Sequence, residues 1–389
     1  MKIKKQLPIR QPRYNKSVLH LLSGLTCILL LPQANADEVT KRAMLTTGLI
    51  YDSNPAVSSI QKNPAWIFSL IPYLRVDVTS EVNQWFLDGS FDIERPSNQT
   101  VLINREDPTL NAGWNHTYET GSFGINANFT QGTTLNSQLT TTGQFTQNNN
   151  TQTTRELAAN WQQTINSKWS ALTNAVYDNV SFSISTPGGL ASYKFGDIGS
   201  KLIYTNSEKL DTYVQLGYAQ INPNETFEST EKVRLGGGAD YNVNENLTLG
   251  ANAEIYDLSG RQSYTSWDGG INAKYTLQRA SYSSALVRQI KVSPNGGFQK
   301  TDGLILGWAY ARSELDQFGA DYSFNKYIKD ATIGLDGLDY QQLGAFYERS
   351  LSNHWKTRLS TTFRKIDSLG KSGNSEAIGV TLVYDTLKF

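Results

Sequence analysis

The chain has 389 residues, with 35 basic and 35 acidic side chains and a single cysteine. That balance excludes the basic surface a nucleic-acid partner needs, and one cysteine excludes a disulfide framework or a thiolate metal site. No apolar run reaches about 18 residues, which excludes a bundle of membrane-spanning helices.

The first 36 residues differ from the rest. Lys2, Lys4, Lys5, Arg10, Arg13 and Lys16 precede an apolar stretch over 18–31, and Ala34-Asn35-Ala36 supplies a small-x-small cleavage pattern. This predicts a signal peptide over 1–36, removed before folding. Cys27 lies inside it, but Gly24 stands where a lipoprotein signal carries a leucine-like residue, so lipidation is not expected. Cleavage removes six basic residues and no acidic one, leaving 29 against 35 and a net charge of −6. No linker or composition shift divides residues 37–389, so one domain is expected there.

Beyond the leader, apolar and polar residues alternate with a period of two. Trp85, Leu87, Phe91 and Ile93 share one face and Asp88, Asp92 and Glu94 the other. Val233, Leu235, Gly237, Ala239 and Tyr241 alternate with Lys232, Arg234 and Asp240. Leu247, Leu249, Ala251, Ala253 and Ile255 alternate with Thr248, Asn252 and Glu254. Trp355, Thr357, Leu359, Thr361 and Phe363 alternate with Lys356, Arg358 and Arg364. Segments of about ten residues with one greasy and one wet face predict an all-β fold, a transmembrane antiparallel β-barrel.

The connections support this. Tight polar turns near 79–83, 166–168, 244–246 and 352–354 alternate with longer polar loops over 52–64, 96–108, 132–152, 222–230 and 291–300. Short periplasmic turns and long external loops have that pattern. Three turns share a form: Asn166-Ser167-Lys168-Trp169, Asn244-Glu245-Asn246-Leu247 and Ser352-Asn353-His354-Trp355 each hand over to a large apolar residue. The count is about 18 strands, with the 280–290 segment alternating poorly. Trp85, Trp169 and Trp355 follow short turns and would form a periplasmic aromatic girdle, with Trp66 in the outer one. The last segment, 378–389, ends on Phe389 as outer-membrane barrels do. Asp385 falls in register with Leu387 and Phe389, and a bulge there is the expected remedy.

Chemistry-bearing constellations are sparse. His116 has no serine motif around it, so a Ser-His hydrolase is not expected. Asp336 in the 330–339 loop lacks calcium-ligand spacing, and Gly236-Gly237-Gly238 precedes no helix that would make it a phosphate loop. No cofactor, metal or enzymatic activity is expected. Two features suit a pore. The 132–152 segment is rich in uncharged amides and hydroxyls, and Asn136, Gln138, Gln144, Asn148 and Asn149 are candidates for a constriction that hydrogen-bonds sugars. The charged faces supply candidate pore-lining residues: Asp88, Asp92 and Glu94 on one strand, Arg234, Asp240 and Glu254 midway, and Lys356, Arg358 and Arg364 near the end. Such rows select ions; they also simply solvate a wide lumen.

Gly48-Leu49-Ile50-Tyr51-Asp52-Ser53-Asn54 closes the first strand with a Tyr-Asp-x-Asn step into a loop. With the leader, the alternating body and Phe389, the chain resembles the outer-membrane β-barrel porin family associated with exopolysaccharide export loci. The resemblance implies an exit conduit for a secreted polysaccharide, with a periplasmic polysaccharide export or copolymerase protein as partner. Outer-membrane lipid and the barrel-assembly machinery are the other partners expected of a barrel in this membrane. The alternatives are a general or saccharide-specific diffusion porin, carrying a small saccharide, and a non-conducting surface receptor or adhesin.

Overall fold

A computed structural model describes residues 38–134, 150–184, 190–224, 227–330, 337–368 and 370–386. The leader expected over 1–36 lies outside them, as do Phe389 and residues 135–149.

Among the described residues eighteen strands follow one another. The first six are β1 (Glu38–Asp52), β2 (Ala65–Thr79), β3 (Asn83–Pro96), β4 (Arg105–Tyr118), β5 (Gly121–Thr133) and β6 (Thr151–Thr164). Next come β7 (Trp169–Phe182), β8 (Tyr193–Ser207), β9 (Leu210–Pro223), β10 (Thr230–Asn242), β11 (Leu247–Gly260) and β12 (Tyr264–Thr276). The last are β13 (Ala280–Ser293), β14 (Gly297–Ala311), β15 (Asp316–Tyr327), β16 (Leu338–Ser350), β17 (Trp355–Ser368) and β18 (Lys371–Asp385). Each pairs antiparallel with the next, and β1 also pairs with β18 from Met44↔Asp385 to Asp52↔Ala377, so the sheet closes on itself. Closure removes both sheet edges. The poorly alternating 280–290 segment is a full strand, β13.

The two faces are inverted relative to a soluble protein. Leu216, Leu235 and Ile255, on neighbouring strands, are 62–65 % exposed on the outside. Lys232, on the opposite face of the same strand as Leu235, is 5 % exposed. At about 3.3 Å per residue, strands of 12–15 residues run roughly 40–50 Å. With a tilt of about 40° the wall is taller than the ~25 Å apolar band of a membrane barrel.

The short-turn end is organised by side chains that hold backbone N–H groups. The Asn166 side chain accepts from the amides of Lys168 and Trp169 at 2.9 and 3.0 Å, and Asn244 does the same for Asn246 and Leu247 at 2.9 Å each. Ser352 accepts from His354 and Trp355 at 3.3 and 3.2 Å. The repeated sequence form is thus one local device, a polar side chain mimicking a backbone turn. It delivers an aromatic or leucine onto the outer wall. There Trp85 stacks on Trp114 at 5.3 Å, Trp169 meets Tyr204 at 4.7 Å and Trp355 meets Tyr384 at 4.9 Å. His116 joins this band beside Trp114, with Asn83 at 3.0 Å from its Nδ1.

Asp385 needs no bulge. The β17–β18 register runs unbroken from Trp355↔Tyr384 to Ser368↔Lys371. Tyr384, Leu382, Val380 and Ile378 therefore form the outward row, and Asp385 points inward, where Arg42 Nε donates to it at 3.1 Å. The expected remedy fails because the interior supplies a cation, which makes a charged residue the right one there.

Candidate pore interior

Antiparallel register decides which charges meet inside. On β3 and β4, Asp88 lies opposite Asn111, Asp92 opposite Asp107 and Glu94 opposite Arg105. Two strands on, Glu156 lies opposite Asp178. The inward charges of β3–β7 are thus six carboxylates against the single guanidinium of Arg105, which is tied to Asp107 at 2.6 Å. That sector is an acidic wall.

Across the β1–β18 closure the balance changes. Arg42 lies opposite Arg75. Arg75 donates to Asp77 at 2.7 Å and to Asp88 at 3.3 Å, bridging to the acidic wall. On β17, Lys356 is 4.0 Å from Glu348, Arg358 lies over the Phe346 ring at 3.9 Å, and Arg364 is bonded to Asp52. Lys356 and Arg358 remain half exposed or stacked, so their charge is less neutralised than that of Arg364.

A third group sits on β8–β12. Arg234 makes two bonds to Asp197, at 2.6 and 2.7 Å, and lies 4.0 Å from Glu254. Lys232 reaches Glu254 at 3.6 Å and Asp268 at 3.2 Å. Arg234 crosses a strand to do this by lying flat on the wall. A Cβ at Gly217 would stand 2.5 Å from its Nε, and one at Gly199 2.8 Å from its Nη2. Only glycine leaves that space. Below the pair is a polar recess of about 300 Å³ lined by Asn174, Lys201 and Gln215 among others. Asp240, nearer the short-turn end, faces Asp211 across β9–β10.

The long-loop end is narrowed from within. The β13–β14 connection, expected as a polar loop over 291–300, is a tight hairpin whose tip from Ser293 to Gln299 is buried. Gly296 makes its turn at φ +70°, where Pro223 lies 2.9 Å from any added Cβ. Phe298 packs with Val180, Phe182, Tyr193, Ile221, Tyr256 and Leu258 of the inner wall. The polar atoms of the tip find partners on other connections. Ala191 N donates to Pro294 O at 2.8 Å, and Arg261 Nη1 to Asn295 O at 3.2 Å. The β12–β13 ladder ends at Gly269↔Arg288. Above it the Ile290 amide donates to Asp268 at 3.2 Å instead, so the hairpin leaves the wall and leans inward. On the other side of the mouth, Val57 of the β1–β2 connection packs with Tyr327, Leu338, Tyr340 and Ile366.

All nine charged candidates read from the sequence lie on the inward face, and the fold brings Arg234 and Glu254 together and Asp88 to Arg75. It does not bring the β3 carboxylates into contact with the β17 cations; β18, β1 and β2 stand between. The constriction candidates Asn136, Gln138, Gln144, Asn148 and Asn149 lie outside the described residues. Sequence reasoning missed Arg42, Arg75, Arg105, Asp197 and Asp268, although the same alternation marks them. It also missed the hairpin, because its polar residues read as solvent-exposed.

No protein-family model matches the chain, and no curated protein sequence does either. Solved structures do. That of OccAB4 from Acinetobacter baumannii aligns with a TM-score of 0.52 at 9 % identity, covering 92 % of this chain and all of that one. OpdK from Pseudomonas aeruginosa, solved with vanillate, aligns at 0.51 and 10 % identity over 91 % of this chain and all of its own. The siderophore receptor PirA from Pseudomonas aeruginosa aligns at 0.50 and 12 % identity over 89 % of this chain and 80 % of its own. At such identities the likeness is one of fold. The chain is a closed antiparallel β-barrel of eighteen strands.

Proposed function

We propose that the protein is an outer-membrane channel through which small polar solutes diffuse, with cations favoured along its acidic wall. The observation that carries this is the inverted wall: exposed leucine and isoleucine outside, and paired and unpaired charges inside a closed ring. An apolar exterior of this kind is stable only in lipid, and an interior with so many ionised groups is stable only with water beside them. The solved relatives in fold include one holding vanillate, a small molecule, which fits a diffusion route. The long-loop end is external, as in barrels whose short turns face the periplasm.

The polysaccharide-conduit reading implied by the resemblance has less support. Both inward-packed clusters narrow the external mouth, whereas an extruded polymer needs continuous width. Leader cleavage after Ala36, insertion by the barrel-assembly machinery and a non-catalytic role belong to the same proposal.

Liposome swelling tests it. Vesicles carrying the refolded mature chain are expected to admit small sugars and amino acids at rates that fall steeply with solute size. Vesicles that stay impermeable to all of them, while the protein is folded in the bilayer, would remove the diffusion reading.

A further inference from the structure

Among the described residues, one row of the outer wall sets two cations side by side with no acid in the row itself. Register aligns Arg155 of β6 with Asn179 of β7, Asn179 with Lys194 of β8, and Lys194 with Asn222 of β9. All four share the outward face with Leu157, Tyr177, Ile198 and Tyr218, which are 40–52 % exposed. Arg155 and Lys194 are both exposed, and neither makes an ion pair among the described residues. Every carboxylate of β6–β9 (Glu156, Asp178, Asp197 and Asp211) lies on the inward face. Glu231, the outward acid of β10, is one step below this row, level with Gln220 and Gly196, and is bonded to the Tyr218 hydroxyl. Two strand spacings put the two cations about 10 Å apart. The row lies near the long-loop end, second from the end of β8 at Lys194 and fifth from the end of β6 at Arg155.

Directly below the row is a recess in the wall. It measures about 310 Å³ and is lined by Tyr177, Lys194, Gly196, Ile198, Tyr218 and Gln220. A Cβ on Gly196 would have nothing within 4 Å, so the space at that position is open. Two tyrosines flank an apolar floor, and the lysine roofs it. We infer that this face binds a phosphorylated lipid of the outer leaflet, its phosphate held between Arg155 and Lys194 and one acyl chain seated over Gly196. Charge complementarity selects the occupant: two cations at the head-group level, neither in an ion pair among the described residues, attract an anion, and a largely apolar slot beneath them takes a hydrocarbon. The tyrosines suit the interface between the two. The inference rests on the membrane-channel reading, because the wall meets lipid only in that setting.

Native mass spectrometry of the detergent-extracted full barrel tests it, with lipid A, phosphatidylcholine and inorganic phosphate as separate probes. Lipid A is expected to be retained at least tenfold more than phosphatidylcholine, with inorganic phosphate not retained. The double variant R155Q/K194Q should lose that preference tenfold while still showing the heat-dependent gel mobility of a folded barrel. G196F, which fills the slot without moving the wall, should weaken lipid A retention on its own and carries the test if the double variant does not fold. Unchanged retention in a folded variant overturns the inference, as does phosphate held as well as lipid A. A wild-type protein that conducts yet holds no lipid A overturns it and leaves the channel standing.

Discussion

Gln262 and Phe298 exchange two hydrogen bonds: the Gln262 amide donates to Phe298 O at 2.7 Å, and the Phe298 N–H donates to Gln262 Oε1 at 2.6 Å. Gln262, in the β11–β12 connection, therefore serves the inward hairpin as a substitute strand. A buried amide left without its partner costs about 1–3 kcal/mol. Gln262→Ala is expected to loosen the tip by about 2–4 kcal/mol, since both Phe298 groups lose their partner. Limited proteolysis should then cut near 293–297, and single-channel conductance should rise. A variant as protected as the wild type would show that the apolar packing of Phe298 alone holds the hairpin.

If the ring conducts, its acidic wall is expected to set ion preference. Each charge acts on an ion 10 Å away by about 0.4 kcal/mol in water. Removing two with D92N/E94Q weakens the pull on a cation and the push on an anion by up to about fourfold each, so the cation-to-anion permeability ratio should fall roughly four- to sixteenfold at low salt, with the effect shrinking as salt screens it. K356Q/R358Q should move the reversal potential the other way. Reversal potentials in a salt gradient report both, and two variants shifting in the same direction would contradict the two-walled interior.

Arg234 depends on the bare backbone beneath it. Gly217→Ala puts a methyl group 2.5 Å from Arg234 Nε, and the guanidinium must leave. Asp197 then loses two charge-assisted bonds and its neutralising partner. The barrel should persist, since the displaced group is the far end of a flexible side chain, and cation preference should increase. Unaltered selectivity would mean that Arg234 finds another route to Asp197.

Arg42 and Asp385 join the first and last strands. The pair is partly exposed, so its contribution is about 0.5–1 kcal/mol. D385N should lower the temperature at which the folded band converts to the unfolded one on gels by a few degrees. R42Q/D385N should fall by less than the two single variants sum to, because either change alone already removes the pair; strictly additive shifts would show that the two residues do not interact.

Much of the architecture was legible in period-two alternation. Strand number, the outward rows of β10, β11 and β17, and the inward placement of the charged candidates all follow from which residues stand two apart. Partners across strands were not legible. Asp385 was visible as an anomaly, but its cation lies 343 positions away, and only closure brings the two together. The hairpin failed for a related reason. Asn295 and Gln299 are polar and buried with partners on distant connections, Arg261 and the Ile328 carbonyl, and local composition carries no trace of those bonds.

Planar-bilayer recording of the refolded mature chain is the most direct check on a water-filled ring. It should show stable, ohmic single-channel steps with a reversal potential on the cation side, made less selective by D92N/E94Q. A protein that inserts, keeps its strands and passes no current would contradict it.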